Sequence, residues 1–121
     1  MKEFTILISD RNKNVREYIR REMVSEGYRV QVARSARDIL ELVYYTESID
    51  LLILDPDLFE TEEIGLLEKI INRVPALPVV VHTYSPDGIR QAEDFGSVHF
   101  VEKGGNSIEH LKTAVAHLLN Q

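Results

Sequence analysis

Two aspartates, a threonine and a lysine each follow closely on a short apolar run, and they are the residues of this chain best suited to chemistry. Residues 4–9 lead into Asp10, residues 51–54 into Asp55, residues 79–81 toward Thr83, and residues 98–101 toward Lys103. If these runs are neighbouring parallel strands, their carboxyl ends gather two carboxylates, a hydroxyl and an ammonium at one sheet edge. Open α/β sheets place their sites there. The set suits phosphoryl transfer onto an aspartate. In such a transfer, charge spreads over three equatorial oxygens, so the site needs positive charge and donors around them and a clear line of attack. Lys103, Thr83 and a metal ion would meet that need, and Asp55 would be the acceptor.

Each residue also has a plainer role open to it. An aspartate after a strand commonly caps a turn or a helix, a lone lysine is usually a solvated surface group, and Thr83 could simply satisfy a strand-end amide. His82, His99, His110 and His117 fall on three different elements without metal-ligand spacing, which points to core or solvent-facing positions. Gly104 and Gly105 precede a helix but lack a dinucleotide fingerprint and read as a loop. Glu60, Glu62 and Glu63 read as a favourable acidic first turn.

The elements that must hold these residues alternate between strand and helix. Asn12 or Asn14 can cap a helix with Val15, Tyr18, Ile19 and Met23 on its apolar face and Arg16, Glu17, Arg20 and Arg21 outward, stopped by Gly27. Tyr28, Val30 and Val32 alternate with polar neighbours, as in a less buried edge strand. Ser35 and Asp38 resemble a capping box ahead of Ile39, Leu40, Leu42 and Val43. The unbroken apolar run up to Leu54 implies cover on both faces of its strand. Thr61 is expected to cap a helix carrying Ile64, Leu67, Ile70 and Ile71, and Pro75 and Pro78 bracket the turn into the next strand. Ser85, Pro86 and Asp87 look like the start of a fourth helix. Gly88 inside it costs ~1 kcal/mol relative to alanine, so this is expected to be the loosest helix, ending at Gly96. Asn106 with Glu109 opens a fifth helix through Ile108, Leu111, Val115 and Leu118. Five strand–helix pairs in strict alternation imply a parallel sheet with right-handed crossovers and helices on both faces.

Over essentially its whole length, 1–121, the sequence resembles the receiver domain of two-component response regulators. The match rests on Ile6-Leu7-Ile8-Ser9-Asp10, Asp50-Leu51-Leu52-Ile53-Leu54-Asp55, Pro78-Val79-Val80-Val81-His82-Thr83 and Phe100-Val101-Glu102-Lys103, in order and at family spacing. The resemblance implies a flavodoxin-like three-layer (βα)5 domain with parallel strand order 2-1-3-4-5. It further implies Asp55 as phosphoacceptor, Asp10 as part of a magnesium site, Thr83 as the hydroxyl that follows the phosphoryl group, Lys103 as its ionic partner and Phe100 as the switch aromatic. Such a domain is not an enzyme beyond accepting and hydrolysing its own aspartyl phosphate. A histidine kinase or phosphotransfer protein is the implied donor, and an output partner is expected on the face made by the fourth helix, fifth strand and fifth helix, around Ile89 and Phe100.

Several positions depart from the family pattern. Receivers usually carry a second acid after the first strand, a direct magnesium ligand, where this chain has Arg11. The remaining ligands are Asp10, Asp55 and Asp57, the last through its backbone carbonyl or side chain. Arg11 is expected to repel the cation and to pair with Asp55. Tyr84 stands where a small residue is usual and is expected to cover Asp55. Gly104 replaces a proline, which predicts a less firmly aimed Lys103, and Glu63 replaces a glycine.

Composition bounds the remaining possibilities. With 44% hydrophobic and 28% charged residues in 121, the chain has the make-up of one globular domain. No segment approaches the ~20 apolar residues of a membrane span, and the first apolar run is too short for a signal-peptide core, so a cytoplasmic location is expected. The absence of cysteine excludes disulfides and thiolate chemistry. A formal charge of −6 without a basic stripe argues against direct nucleic-acid binding. No output segment follows Gln121 in this sequence, so output is expected from a partner or from a longer protein. A pseudo-receiver that binds protein without phosphorylation is the alternative.

Overall fold

Strict alternation of side chains along short strands divides the apolar residues of this chain between two faces of one sheet. The computed structural model describes residues 3–45, 48–73, 76–84 and 98–120. Its strands are β1 (Thr5–Ser9), β2 (Arg29–Ala33), β3 (Leu51–Leu54), β4 (Val79–Thr83) and β5 (Val98–Glu102), all parallel, in the order β2-β1-β3-β4-β5. Four helices lie among the described residues: α1 (Lys13–Ser25), α2 (Ala36–Tyr45), α3 (Ile64–Ile71) and α4 (Ser107–Leu119). This is the expected flavodoxin-like order. The helix expected behind Ser85, with Gly88, Ile89 and Gly96, and the turn residue Pro75 lie outside the described residues.

Leu7, Leu52, Leu54, Val79 and Val81 face one way and pack with Ile39 and Val43 of α2 and Ile70 of α3. Ile6, Ile8, Leu51, Ile53 and Val80 face the other way and pack with Ile19 and Met23 of α1 and Leu111 and Val115 of α4. Each such side chain contributes about 1.5–3 kcal/mol through burial. Every residue of β1, β3 and β4 is buried, whereas β2 and β5, at the edges, are only partly covered. The three strands that carry Asp10, Asp55 and Thr83 are thus the most rigidly enclosed.

Local signals set the helix ends, with some corrections. Asn12, not Asn14, caps α1, its side chain accepting from the N–H groups of Asn14 and Val15. At the other end, Gly27 adopts φ +95° while its N–H reaches the Val24 carbonyl and that of Tyr28 the Met23 carbonyl. These paired bonds satisfy the last carbonyls of the helix and require a residue tolerant of left-handed backbone. The Ser35 hydroxyl accepts from the Asp38 N–H, but the Asp38 carboxylate reaches back to the N–H of Arg34. α3 starts later than expected: a 3-10 turn at Thr61–Glu63 precedes it, so Glu63 rather than Thr61 holds the cap position, and the Glu63 carboxylate accepts from the N–H of Glu60. Asn106 stands at the cap of α4 without a side-chain cap bond, its backbone being too folded for the extended geometry such a bond needs. Arg16, expected to face solvent, is buried with Ile19 and Met23, which lie three and seven residues on along α1.

Nothing lies within 4 Å of a Cβ built on Gly27, so the cost of substitution is purely one of backbone conformation. Gly27→Ala is expected to destabilise the fold by about 1–2 kcal/mol, read as a lower urea midpoint with an unchanged slope. An unchanged midpoint would show that the turn relaxes out of the left-handed region.

Candidate functional site

The register of the three central strands brings the chemical residues level. Ile8 pairs with Ile53, so Asp10 and Asp55 emerge side by side two residues later; Thr83 pairs with Glu102, and the Lys103 N–H extends that ladder by donating to the Thr83 carbonyl at 2.8 Å. Ser9 ties the two aspartate-bearing ends together. Its hydroxyl donates to the Ile53 carbonyl at 2.9 Å and accepts from the Asp55 N–H at 3.3 Å.

Asp10 and Asp55 are both fully buried, at 0% exposure. Isolated buried carboxylates would cost several kcal/mol each, so their partners decide whether the arrangement stands. Asp10 Oδ1 accepts from the Asn12 N–H at 2.8 Å. Asp55 Oδ1 accepts from the Asp57 N–H at 3.0 Å and Oδ2 from the Arg11 N–H at 3.2 Å. Lys103 Nζ lies 2.9 Å from Asp10 Oδ2 and 3.6 Å from Asp55 Oδ2. The shorter contact is ionic and lacks hydrogen-bond alignment, since Asp10 Oδ2 accepts no hydrogen bond among the described residues. Lys103 is well aimed despite Gly104 after it, because its backbone is fixed to β4 and its side chain is only 8% exposed.

Thr83 is buried at the end of β4. Phe100 is half-buried beside Val81 and packs against the α2–α3 side of the core. The Tyr84 ring is largely exposed, with its centroid 5.2 Å from Lys103 Nζ, so the contact the structure gives it is with the ammonium. The Arg11 side chain does not reach Asp55. Its guanidinium lies 3.5 Å from Asp57 Oδ2, and both partners are well exposed. Oδ2 of Asp55 already faces Lys103, and a second buried cation would have to shed its water there; the surface pair avoids that cost.

Two residues of the site were missed by sequence reasoning. Ser9 reads as an ordinary strand end, and only the pairing with β3 reveals its bridging role. Arg16 donates from Nη1 to the Asp10 carbonyl at 2.9 Å and so fastens α1 to the site. Its spacing from Ile19 and Met23 was the available signal. The histidines fall as expected: His82 is in the core, and His99, His110 and His117 are exposed. His82, at 3% exposure, has no hydrogen-bond partner on either ring nitrogen among the described residues. It lines a recess of about 230 Å³ between α1 and α4, with Tyr18, Tyr84, Lys103 and Leu111 among the other walls. Burial, aided by the charge of Lys103 and opposed by Asp55, pushes its pKa down to about 4.

Magnesium demands near-octahedral oxygen coordination. Three of the four oxygens of Asp10 and Asp55 accept backbone N–H groups, and the fourth faces the Lys103 ammonium. The Asp57 carboxylate is turned to Arg11. Among the described residues, no group of three or more His, Cys, Asp or Glu is arranged to hold a metal. The donor set in this conformation does not fit the ion.

The model of the response regulator receiver domain family matches residues 6–116. A two-component response regulator from Clostridium difficile superposes with a TM-score of 0.83 at 23% identity, covering 98% of each chain. A response regulator from Thermotoga maritima gives 0.80 at 19% identity, covering 99% of this chain and 100% of that one. NtrX from Brucella abortus gives 0.81 at 23% identity; 98% of this chain is covered, but it spans only 26% of that protein. At these identities the structural likeness speaks for the fold. No curated protein matches the chain.

His82 makes stability depend on pH in a specific window. Its folded pKa of about 4 lies below the ordinary 6.5, so the unfolded chain binds more protons between those values. Its contribution is complete above pH 6.5 and is lost as pH falls toward 4, with a slope of at most about 1.4 kcal/mol per pH unit. His82→Val is expected to flatten the wild-type loss of stability between those limits, measured by urea unfolding at several pH values. Parallel curves for the two proteins would mean that His82 protonates freely in the fold.

Proposed function

The chain belongs to the response regulator receiver domain family, and from that premise we propose that it accepts a phosphoryl group on Asp55 and signals through a partner protein. Receiver domains are generally not enzymes; they interact with histidine kinases and output domains. The observation that carries the reading is the position of Asp55. It is a fully buried carboxylate held on both oxygens by backbone N–H groups, with Lys103 on one side, at the end of the strand between those of Asp10 and Thr83.

The residues supply distinct functions in that transfer. The N–H groups of Arg11 and Asp57 orient the Asp55 carboxylate so that an oxygen is presented to phosphorus. An oxygen of Asp55 attacks, the bond between phosphorus and the donor's leaving atom breaks, and the leaving group keeps the electron pair. Lys103 balances charge on the phosphoryl oxygens by moving from its shared position toward the new anion. Thr83 offers a hydroxyl from the adjacent strand end. A shift of Thr83 would be felt at Phe100, because β4 and β5 are paired through Val81 and Phe100. The partner would read that change on the face that includes β5 and α4. We assign the whole of residues 1–121 to one such domain working in the cytoplasm; among the described residues no helix is long and apolar enough to cross a membrane. A protein-binding module that dispenses with phosphorylation is not favoured by any feature of this site.

A small acyl-phosphate donor in magnesium buffer should add one labile phosphoryl group to the wild type, seen by intact mass, and none to Asp55→Asn. Equal labelling of both proteins would move the acceptor elsewhere. Tyr84→Ala removes the ring from the Lys103 ammonium and should speed both phosphorylation and hydrolysis of the product. Unchanged rates in both directions would mean that the ring does not govern access.

A further inference from the structure

The same two residues whose backbones grip the oxygens of Asp55 also pair with each other through their side chains. Arg11 donates its N–H to Asp55 Oδ2 and Asp57 its N–H to Oδ1, while the Arg11 guanidinium sits 3.5 Å from the Asp57 carboxylate. A cationic side chain is therefore anchored at the rim of the acceptor, in a site whose donor set does not fit a divalent cation. We propose that Arg11 serves in place of the metal ion: its guanidinium leaves Asp57 and binds the phosphoryl oxygens, so that Asp55 is phosphorylated without a divalent cation. The inference rests on Asp55 being the phosphoacceptor.

Three physical points carry it. The first is charge. Asp10, Asp55 and Asp57 are matched by Lys103 and Arg11, which leaves one net negative charge, and an incoming phosphoryl group adds more. An acid in place of Arg11 would make the site more negative by two, and a divalent cation would then be required. The second is the strength of the tether. The Arg11 and Asp57 side chains are 66% and 48% exposed and meet at 3.5 Å, so the pair is weak and can exchange for a stronger one. The third is the chemistry of guanidinium, a planar fork whose parallel N–H groups match two phosphoryl oxygens and which is always charged.

The step balances without a co-reactant beyond the donor. With acetyl phosphate, an Asp55 oxygen forms the new bond to phosphorus as the bond from phosphorus to the acetyl oxygen breaks. Acetate leaves with the electron pair. The equatorial oxygens pass between Lys103 and Arg11, and no proton needs to be transferred.

The test compares the wild type, Arg11→Gln, Arg11→Asp and Asp55→Asn with acetyl phosphate, in excess EDTA and in magnesium, read by intact mass. Calorimetric magnesium titration of each protein gives an independent readout. The wild type should label at similar rates in both buffers and show little magnesium binding. Arg11→Gln should be slower in EDTA by about 10–100-fold, the loss of one or two charge-assisted hydrogen bonds. Arg11→Asp should bind magnesium and label only when it is present. Wild type that labels only in magnesium, with Asp55→Asn blank, would overturn the role of Arg11 and leave Asp55 as acceptor. Equal rates for the wild type and Arg11→Gln in EDTA would also overturn it. A wild type that labels under neither condition would overturn both readings.

Discussion

The arrangement depends on two fully buried carboxylates held side by side at the ends of adjacent central strands. Asp10 and Asp55 would repel each other and lose their hydration if left alone, and no apolar packing could compensate for that. They stand because the chain turns immediately after each of them. Asn12 and Arg11 on one turn and Asp57 on the other direct backbone N–H groups inward, and Lys103 inserts an ammonium between the pair. The turns can do this only if β1 and β3 end at the same height. That is set by the Ile8 and Ile53 register and fastened by Ser9. Packing on both faces of the sheet thus determines whether the carboxylates can be tolerated at all.

Lys103 links this pair to a second environment. Its side chain is almost enclosed, lies under the Tyr84 ring and borders the recess between α1 and α4 where His82 is buried. One ammonium therefore lowers the cost of two anions on one side and makes a second positive group unwelcome on the other. The neutral imidazole of His82 follows first from its burial and then from that ammonium, against the opposing charge of Asp55. An event that draws Lys103 toward Asp55 changes the field at His82 and at the ring of Tyr84 together.

The parts of the fold legible in the sequence were those encoded by periodicity. The unbroken apolar runs of β1, β3 and β4, and the apolar faces of α2 and α4, follow directly from which residues must be hidden, so the core agreed with expectation, while the strand order agreed with what the family resemblance implied. Asp10, Asp55, Thr83 and Lys103 were readable because each ends an apolar run. Less legible was anything decided by competition among polar groups. Arg16 looked like a solvated residue because its charge suggests water, yet a carbonyl of the site lies within reach of the buried face of α1. Arg11 was expected on Asp55, but the buried oxygen is served by the Arg11 backbone, and the side chain finds its match at the surface. Thr61 and Asn106 have the chemistry of caps, but the backbone that precedes α3 and α4 is folded into tight turns. Local sequence states what a side chain can bond, whereas three-dimensional context decides which bond is cheapest.

The Arg11 position has a consequence for how such a site holds itself together at rest. Where a third carboxylate crowds two buried ones, their mutual repulsion is relieved only when a cation arrives from solution, and site order then depends on ion concentration. A guanidinium carried on the chain is always present, and its partner Asp57 is only two residues from Asp55. Relief of repulsion becomes part of the fold. The same tether limits what the cation can do, because it can shift only as far as one side chain allows and cannot be exchanged for an ion of different size. If Asp55 accepts a phosphoryl group as proposed, that group would meet two positive groups of fixed origin: Lys103, enclosed on the floor, and Arg11, paired with Asp57 at the rim. On that proposal the conformational signal would arise from drawing these two side chains onto one new anion, and the backbone most directly attached to them is the β1–α1 turn and the β5–α4 turn.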